Sequence, residues 1–194
     1  MGTVMSRQNE RGLCGDQRGI ALVLALLLTS VMSVLAVSLM FLSQTETYAS
    51  MNYRMMSQAR FAGEAALHKA SAFLTDPVQY TVPGMPADPL SNYNRTVSPI
   101  TYNGQPVVLS ATPAKASNYP VSAVRTAFNN AAHGTLTAGN ATLNYGAYAT
   151  LTSMQAFDSY GGTQSVVQTW QITGIGAIGS STNSTVQEIG RAHV

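Results

Sequence analysis

The sequence predicts an α+β fold in which one long N-terminal helix packs on a C-terminal antiparallel β-sheet. An uncharged apolar run covers residues 20–42, and residues 43–75 continue without proline and with one glycine. Both properties favour an uninterrupted helix. The rest of the chain is rich in Ser, Thr, Asn, Gly, Ala and Tyr and carries short apolar segments. That composition suits an exported, β-rich domain.

The apolar run has the length of a membrane-spanning helix. Its 23 residues contain no charged side chain. At about 1.5 Å of rise per residue they form a helix of roughly 35 Å, whereas a bilayer core is about 30 Å thick. Residues 20–42 are therefore predicted to be the transmembrane half of the helix, in contact with membrane lipid.

The charges around this run predict its orientation. Residues 1–19 form a polar leader that holds three arginines, and the first charge after the run is Glu46. By the positive-inside rule, the N-terminus stays in the cytoplasm and the bulk of the chain is exported. The single cysteine, Cys14, lies in the leader, so the exported part cannot form an internal disulfide.

Residues 43–75 carry the pattern of an amphipathic helix. Apolar and small side chains recur at spacings of three and four residues, namely Tyr48, Met51, Met55, Ala59, Ala62, Ala66, Ala70 and Phe73. We predict that this stripe is the face on which the sheet packs, with its N-terminal part also available to other subunits. Asp76-Pro77 ends the helix, because the residue before a proline is displaced from helical backbone angles.

The β-rich domain is predicted to cover residues 76–187. Asn103-Gly104 lies between two apolar triplets, residues 100–102 and 107–109, and this arrangement predicts a hairpin. The other expected elements are a loop at 117–140 with a short helix near 121–132, strands at 143–153 and 165–173 joined by a turn at 158–162, and a last strand near 185–187.

Tyrosines are scattered through this domain. Exposed tyrosines can form an adhesive surface, because they combine a large apolar face with a hydroxyl. We favour the interpretation that they are structural residues of the sheet. The tyrosines concerned are Tyr80, Tyr93, Tyr102, Tyr119, Tyr145, Tyr148 and Tyr160.

Gln17-Arg18-Gly19, followed by the apolar helix, resembles the leader of a type IV prepilin. In that family a prepilin peptidase cuts after the glycine and methylates the new N-terminus. The resemblance implies cleavage between Gly19 and Ile20, with Arg18 supplying leader charge. A cut on the cytoplasmic side of the apolar run leaves the helix in the membrane, whereas signal peptidase would remove the helix.

Further features resemble PilX-type minor pilins. Major pilins carry a glutamate at the fifth mature position, where this chain has Leu24, as PilX-type pilins and the tip pseudopilin of type II secretion do. A carboxylate in hydrocarbon is costly unless it is paired, so leucine implies a subunit that does without that pairing. Residues 59–67, ARFAGEAAL, are similar to the alanine-rich segment of PilX-type proteins, and residues 169–174, TWQITG, resemble their strand near the C-terminus.

The resemblance implies a pilin-like fold and a non-enzymatic minor pilin that supports filament assembly or tip initiation, and adhesion or aggregation. The implied partners are other minor and major pilins, prepilin peptidase and the inner-membrane assembly platform. The implied location is the bacterial inner membrane, N-in and C-out, and then the pilus and cell surface. Three alternatives stay open: a minor pseudopilin of type II secretion, a single-pass membrane-anchored binding protein, and a secretory protein whose signal peptide ends near residues 36–38.

Other motifs are weak candidates for a functional site. Residues 174–179 spell G-x-G-x-x-G, but Ser, Thr and Asn follow where a dinucleotide site needs a helix, so we interpret them as a turn between the last two strands. His68 and His133 have no second ligand at a metal-binding spacing. We expect no catalytic residue, no cofactor and no metal, with an isolated calcium site through loop carbonyls left open. A net charge of +2 without a basic cluster argues against nucleic acid.

The last seven residues, EIGRAHV, look like the translation of a sequencing-library adapter. On this interpretation the natural sequence diverges near Gln187. Residues 188–194 are therefore predicted to be an artefactual tail and are given no functional role.

Overall fold

The structure is a computed structural model that describes residues 14–84, 88–158, 164–179 and 186–193. The chain divides into two compact units, Met1–Met51 and Asn52–Val194. The predicted leader, residues 1–19, and the predicted turn at 158–162 lie largely outside the described residues. Tyr160 also lies outside them.

The long N-terminal helix is confirmed. Helix α1 runs from Cys14 to Thr75, so it begins before the predicted residue 20 and ends where Asp76-Pro77 was expected to end it. Among the described residues, this is the one helix long and apolar enough to cross a membrane. The proposed boundaries between leader, transmembrane half and amphipathic half divide this single helix and stay predictions.

In the second unit, α1 packs on the sheet through the C-terminal part of the predicted stripe. Small side chains from Ala59 to Ala70 and the ring of Phe73 are buried. By contrast, Tyr48 and Met51 are 67% and 54% exposed, so the stripe is not core along its whole length. Alanine and glycine let a helix backbone approach its neighbour closely, and this part of α1 consists largely of such residues.

The sheet is antiparallel and has five strands. Its order is β4-β6-β7-β8, and β5 pairs with part of β6. The strands are β4 (Val108–Ser110), β5 (His133–Ala138), β6 (Ala141–Asp158), β7 (Gln164–Ile178) and β8 (Val186–His193). The strands predicted at 143–153 and 165–173 are confirmed, and both are longer than expected. β8 pairs with β7 through backbone groups, and any sequence supplies such groups. The pairing therefore does not test the prediction that residues 188–194 are an artefactual tail.

A smaller antiparallel sheet contains the predicted Asn-Gly hairpin. It consists of β1 (Tyr93–Asn94), β2 (Thr101–Tyr102) and β3 (Gln105–Pro106). Asn103 and Gly104 have φ angles of 50° and 77°, as a two-residue hairpin turn requires. Of the triplet predicted as the second hairpin strand, Val107 bonds across the hairpin, its N–H donating to the carbonyl of Ile100 at 2.9 Å, whereas Val108 and Leu109 pair with β6. A two-residue turn pairs the residue directly before it with the residue directly after it, here Tyr102 with Gln105. The side chains of residues 107–109 are buried in the core.

The segment 117–140 is more ordered than predicted. Helix α2 (Ser122–Ala131) confirms the short helix and buries Val124 and Phe128. The remainder was expected to be loop, but His133–Ala138 forms β5, which pairs with β6. Most side chains of β5 are exposed or partly exposed, so its sequence lacks the apolar alternation that identifies a half-buried strand.

Aromatic side chains fill the core between α1, α2 and the sheet. Phe73 and Phe128 meet edge to face with their ring centroids 5.4 Å apart, and Tyr80 meets Trp170 in the same way at 6.1 Å. The Tyr80 hydroxyl and the Trp170 indole N–H both donate to Gln168 Oε1, at 2.7 and 2.9 Å. The structural interpretation is thus confirmed for three tyrosines that are buried, namely Tyr80, Tyr93 and Tyr119.

Candidate functional site

The predicted cleavage segment lies near the start of α1. Ile20 and Leu24 are exposed, and a Cβ added to Gly19 would meet nothing within 4 Å. Residues four apart share a helix face, so Leu24 lies one turn from Ile20 on the same side. Arg18 also belongs to α1. The segment therefore presents a glycine–isoleucine bond followed by an unbroken apolar surface.

Hydroxyl groups inside the apolar run bond to the helix itself. Thr29 and Ser30 donate to the carbonyls of Leu26 and Leu27, at 2.9 and 2.8 Å. Ser33 and Ser38 make the same kind of bond one turn back. Because an unsatisfied polar group is costly in hydrocarbon, these bonds make the run compatible with a bilayer without a partner helix.

Beyond this run, α1 keeps large apolar side chains on several sides. Tyr53, Met56 and Phe61 are exposed, as are Tyr48 and Met51. In a soluble monomer such a concentration of exposed apolar surface is unusual and marks an interaction surface. Arg60 Nε and Glu64 Oε1 form an ion pair 3.0 Å apart at the protein surface. Ion pairs at the surface add little stability.

Two glycines of β7 position α1 on the sheet. A Cβ added to Gly174 would lie 2.1 Å from the carbonyl oxygen of Gly63, and one added to Gly176 would lie 2.0 Å from that of Ala59. Real Cβ atoms essentially never come within 3.0 Å of another heavy atom. The backbone of α1 therefore lies directly against the backbone of β7, and only glycine fits at these two positions.

This contact corrects the interpretation of residues 174–179 as a turn. Residues up to Ile178 belong to β7, and only Gly179, with a φ angle of 65°, follows the strand. The glycines are needed for close backbone approach, not for chain reversal. The first two are covered by α1, which leaves no room there for a dinucleotide phosphate. The signal in the sequence was the spacing of two, which places Gly174 and Gly176 on one strand face.

With this geometry established, comparison with known protein families is informative. Residues 18–68 match the family model described as PilX N-terminal. The N-terminal segment of this chain is therefore similar to that of PilX-type type IV pilins. Comparison with curated proteins gave no match, and comparison with solved structures gave none either.

The match covers only the N-terminal part of the chain. It covers the apolar run and α1 as far as His68, so all the strands described above lie outside it. PilX-type pilins are structural subunits, and that family is generally non-enzymatic. The match supports association with other pilus components, and together with the apolar helix it supports anchoring in a membrane.

The histidines do not gather into a metal site. His68 is exposed on α1, and His133 is the first residue of β5, not a loop residue as predicted. Among the residues that the structure describes, no three His, Cys, Asp or Glu side chains come together. The expected absence of metal and cofactor stays a prediction for the chain as a whole.

A buried carboxyl group was missed by the sequence analysis. Asp88 is buried, and its Oδ2 accepts a hydrogen bond from the Tyr93 hydroxyl at 2.5 Å. Its Oδ1 has no hydrogen-bond partner among the described atoms. Burial raises the pKa of Asp88, and the hydrogen bond from Tyr93 offsets this only in part. Nothing in the local sequence distinguishes this aspartate from an exposed loop residue.

Proposed function

We propose that this chain is a minor pilin of the PilX kind, a non-enzymatic subunit of a type IV pilus that supports filament assembly or tip initiation and adhesion or aggregation. The observation that carries the proposal is the exposed apolar surface of α1, which begins at Ile20 and extends past the membrane-length run, within a PilX N-terminal match. Packing against sister helices would cover that surface when the subunit leaves the membrane.

The proposal includes processing at the start of α1. Prepilin peptidase would cut between Gly19 and Ile20 and methylate Ile20, with Arg18 contributing to leader recognition. The open surroundings of Gly19 favour access. The bond lies inside α1, so the first turns must open, and glycine at positions 15 and 19 lowers the cost of that opening by about 1 kcal/mol each.

Assembly would then proceed by exchange of lipid contacts for protein contacts. Before assembly, residues 20–42 would anchor the pilin in the inner membrane with its sheet exported, where the assembly platform and other pilins meet it. Lipid is as apolar as leucine, so shape and small side chains must select the partner helices. Leu24 brings no carboxylate into the bilayer, and this avoids a penalty of roughly 2.5–3.5 kcal/mol.

The leader assignment is tested by substitution at the cleavage position. We expect Gly19→Leu to leave the full-length precursor in membranes, because a bulky side chain would block recognition and stabilise the helix. Intact-mass measurement should find the leader attached in this variant and an N-methylated Ile20 in the natural chain. Gly15→Leu is the matched control: it stabilises the same helix by about 1 kcal/mol but lies away from the cut bond, so it should slow processing by no more than about fivefold and still yield the cleaved chain. Normal processing of Gly19→Leu would refute the assignment.

The filament role is separated from the secretion alternative by a gene deletion. We expect the deletion to reduce surface filaments, twitching and cell aggregation. A defect confined to protein secretion would instead favour the minor pseudopilin. Full-length protein that keeps its leader and forms no filaments would favour a membrane-anchored binding protein.

A further inference from the structure

The methionines that the structure describes lie in different environments. Met32 and Met40 belong to the apolar run, which the proposed function places in lipid. Met154 lies in the core and is 3% exposed. Met51 and Met56 follow the apolar run on α1, and they are 54% and 60% exposed. Access to the thioether sulfur therefore differs from one methionine to the next.

Met51 and Met56 are within reach of reagents dissolved in water. At about 1.5 Å of rise per residue, Met51 lies roughly 14 Å along α1 from Leu42, the last residue of the apolar run. The headgroup layer on each side of a bilayer core is only about 5–8 Å thick. Met56 lies further along the chain. Both side chains are therefore expected in water while the apolar run spans a membrane.

Each of these two methionines follows an exposed tyrosine by three residues. Tyr48 precedes Met51, and Tyr53 precedes Met56. Residues three apart in a helix are neighbours on its surface. A thioether makes favourable contacts with aromatic rings, and methionine is frequent at surfaces that bind partners. Both Tyr–Met pairs therefore belong to the exposed apolar surface that the proposed function assigns to sister helices.

An accessible thioether reacts with a peroxide by transfer of one oxygen atom. The sulfur lone pair attacks a peroxide oxygen, so that an S–O bond forms and the O–O bond breaks. The departing hydroxide takes the proton of the transferred oxygen and leaves as water. The thioether is oxidised by two electrons to a sulfoxide, and the peroxide is reduced. The flexible apolar side chain thereby becomes polar, which disrupts methionine-rich interfaces.

We propose that Met51 and Met56 are modification sites, and that their oxidation by a peroxide to methionine sulfoxide keeps the subunit out of the filament. The inference rests on the proposed function, because it needs sister helices that cover these side chains. A sulfoxide would have to give up its hydrogen bonds to water when it is covered, and this is costly. Oxidation would thus act on subunits that await assembly and spare those already assembled. Enzymatic reduction of the sulfoxide would reverse the effect.

The first test maps oxidation along the chain. The membrane form and sheared pili are treated with hydrogen peroxide, and mass spectrometry of peptides measures the oxidised fraction of each methionine. In the membrane form, we expect Met51 and Met56 to be oxidised several times faster than the buried Met154, with the partly buried Met55 between them. In pili, both sites should be protected. Equal rates at Met51, Met56 and Met154 in the membrane form would overturn the proposal.

The second test asks whether these two sulfurs control assembly. Met51→Leu combined with Met56→Leu keeps the apolar volume and removes both oxidisable groups. After peroxide treatment, we expect about tenfold less of the natural chain in newly formed pili and no loss for this double variant. Met32→Leu combined with Met40→Leu is the matched control on the same helix and should stay as sensitive as the natural chain. An equal loss for the double variant at positions 51 and 56 contradicts the proposal.

The untreated samples separate this inference from the proposed function. Absence of the natural chain from pili before any peroxide is added would refute the proposed function, and the effect on assembly with it. Entry into pili that continues after both methionines are oxidised would refute this inference alone.

Discussion

Two parts of α1 have similar apolar patterns and different surroundings. Between Ala59 and Leu74, the apolar stripe is covered by the sheet of the same chain. Between Ile20 and Met56, large apolar side chains are exposed. Periodicity therefore indicates which residues share a face, whereas the covering surface is decided elsewhere in the chain or outside it. Under the proposed function, lipid and then sister subunits would cover the N-terminal part.

The largest expected effect comes from breaking the covered part. Gly176→Val would push a branched side chain into the carbonyl of Ala59, and neither backbone can withdraw without separating α1 from β7. We expect the free energy of unfolding to fall by more than about 4 kcal/mol, or no stable fold. Chemical unfolding followed by Trp170 fluorescence measures this loss. Ala177→Val, on the face of β7 that points away from α1, is the control and should cost far less.

A smaller effect compares the two parts of the stripe directly. Phe73→Ala removes a buried ring that packs on Phe128 and should cost about 3 kcal/mol in the free energy of unfolding. Tyr48→Ala, at the exposed end, should change the stability of the isolated chain by less than about 0.5 kcal/mol. It should nevertheless reduce incorporation into filaments. Similar losses of stability in the two variants would show that the two parts of the stripe contribute equally to the fold of the isolated chain.

Some features of this structure are predictable from the local sequence, and others depend on residues far apart in the chain. The end of α1 at Asp76 and the Asn103-Gly104 turn depend on local backbone preferences, which neighbouring residues reveal. The contact of Gly174 and Gly176 with α1 depends on residues more than one hundred positions away in the chain. Which side chains of β6 and β7 share a face depends on the register of these two strands. Local patterns do not specify either.

The smallest expected effect concerns the buried Asp88 in the sheet-containing unit. Burial raises the pKa of this carboxyl above its ordinary value of about 3.9, so the folded state holds the proton more tightly than the unfolded state. Its contribution to stability is complete below pH ~4 and is lost as pH rises through the raised pKa. The loss cannot exceed about 1.4 kcal/mol per pH unit for one proton.

Asp88→Asn isolates this contribution, because asparagine does not titrate. We expect the difference in unfolding free energy between the variant and the natural chain to change with pH above pH ~4, in favour of the variant. Denaturant unfolding at a series of pH values measures it. A difference that is independent of pH, or that favours the natural chain increasingly as pH rises, is the contrary result.

The central claim is that sister subunits cover the exposed part of α1 in the filament. It is tested by maleimide labelling of Tyr48→Cys in a Cys14→Ser background, once in the membrane form and once in sheared pili. Val78→Cys, at a side chain that is 91% exposed in the sheet-containing unit, controls for access. We expect the cysteine at position 48 to react in the membrane form and to be protected in pili, while the cysteine at position 78 reacts in both. Equal labelling at position 48 in the two forms would contradict the account.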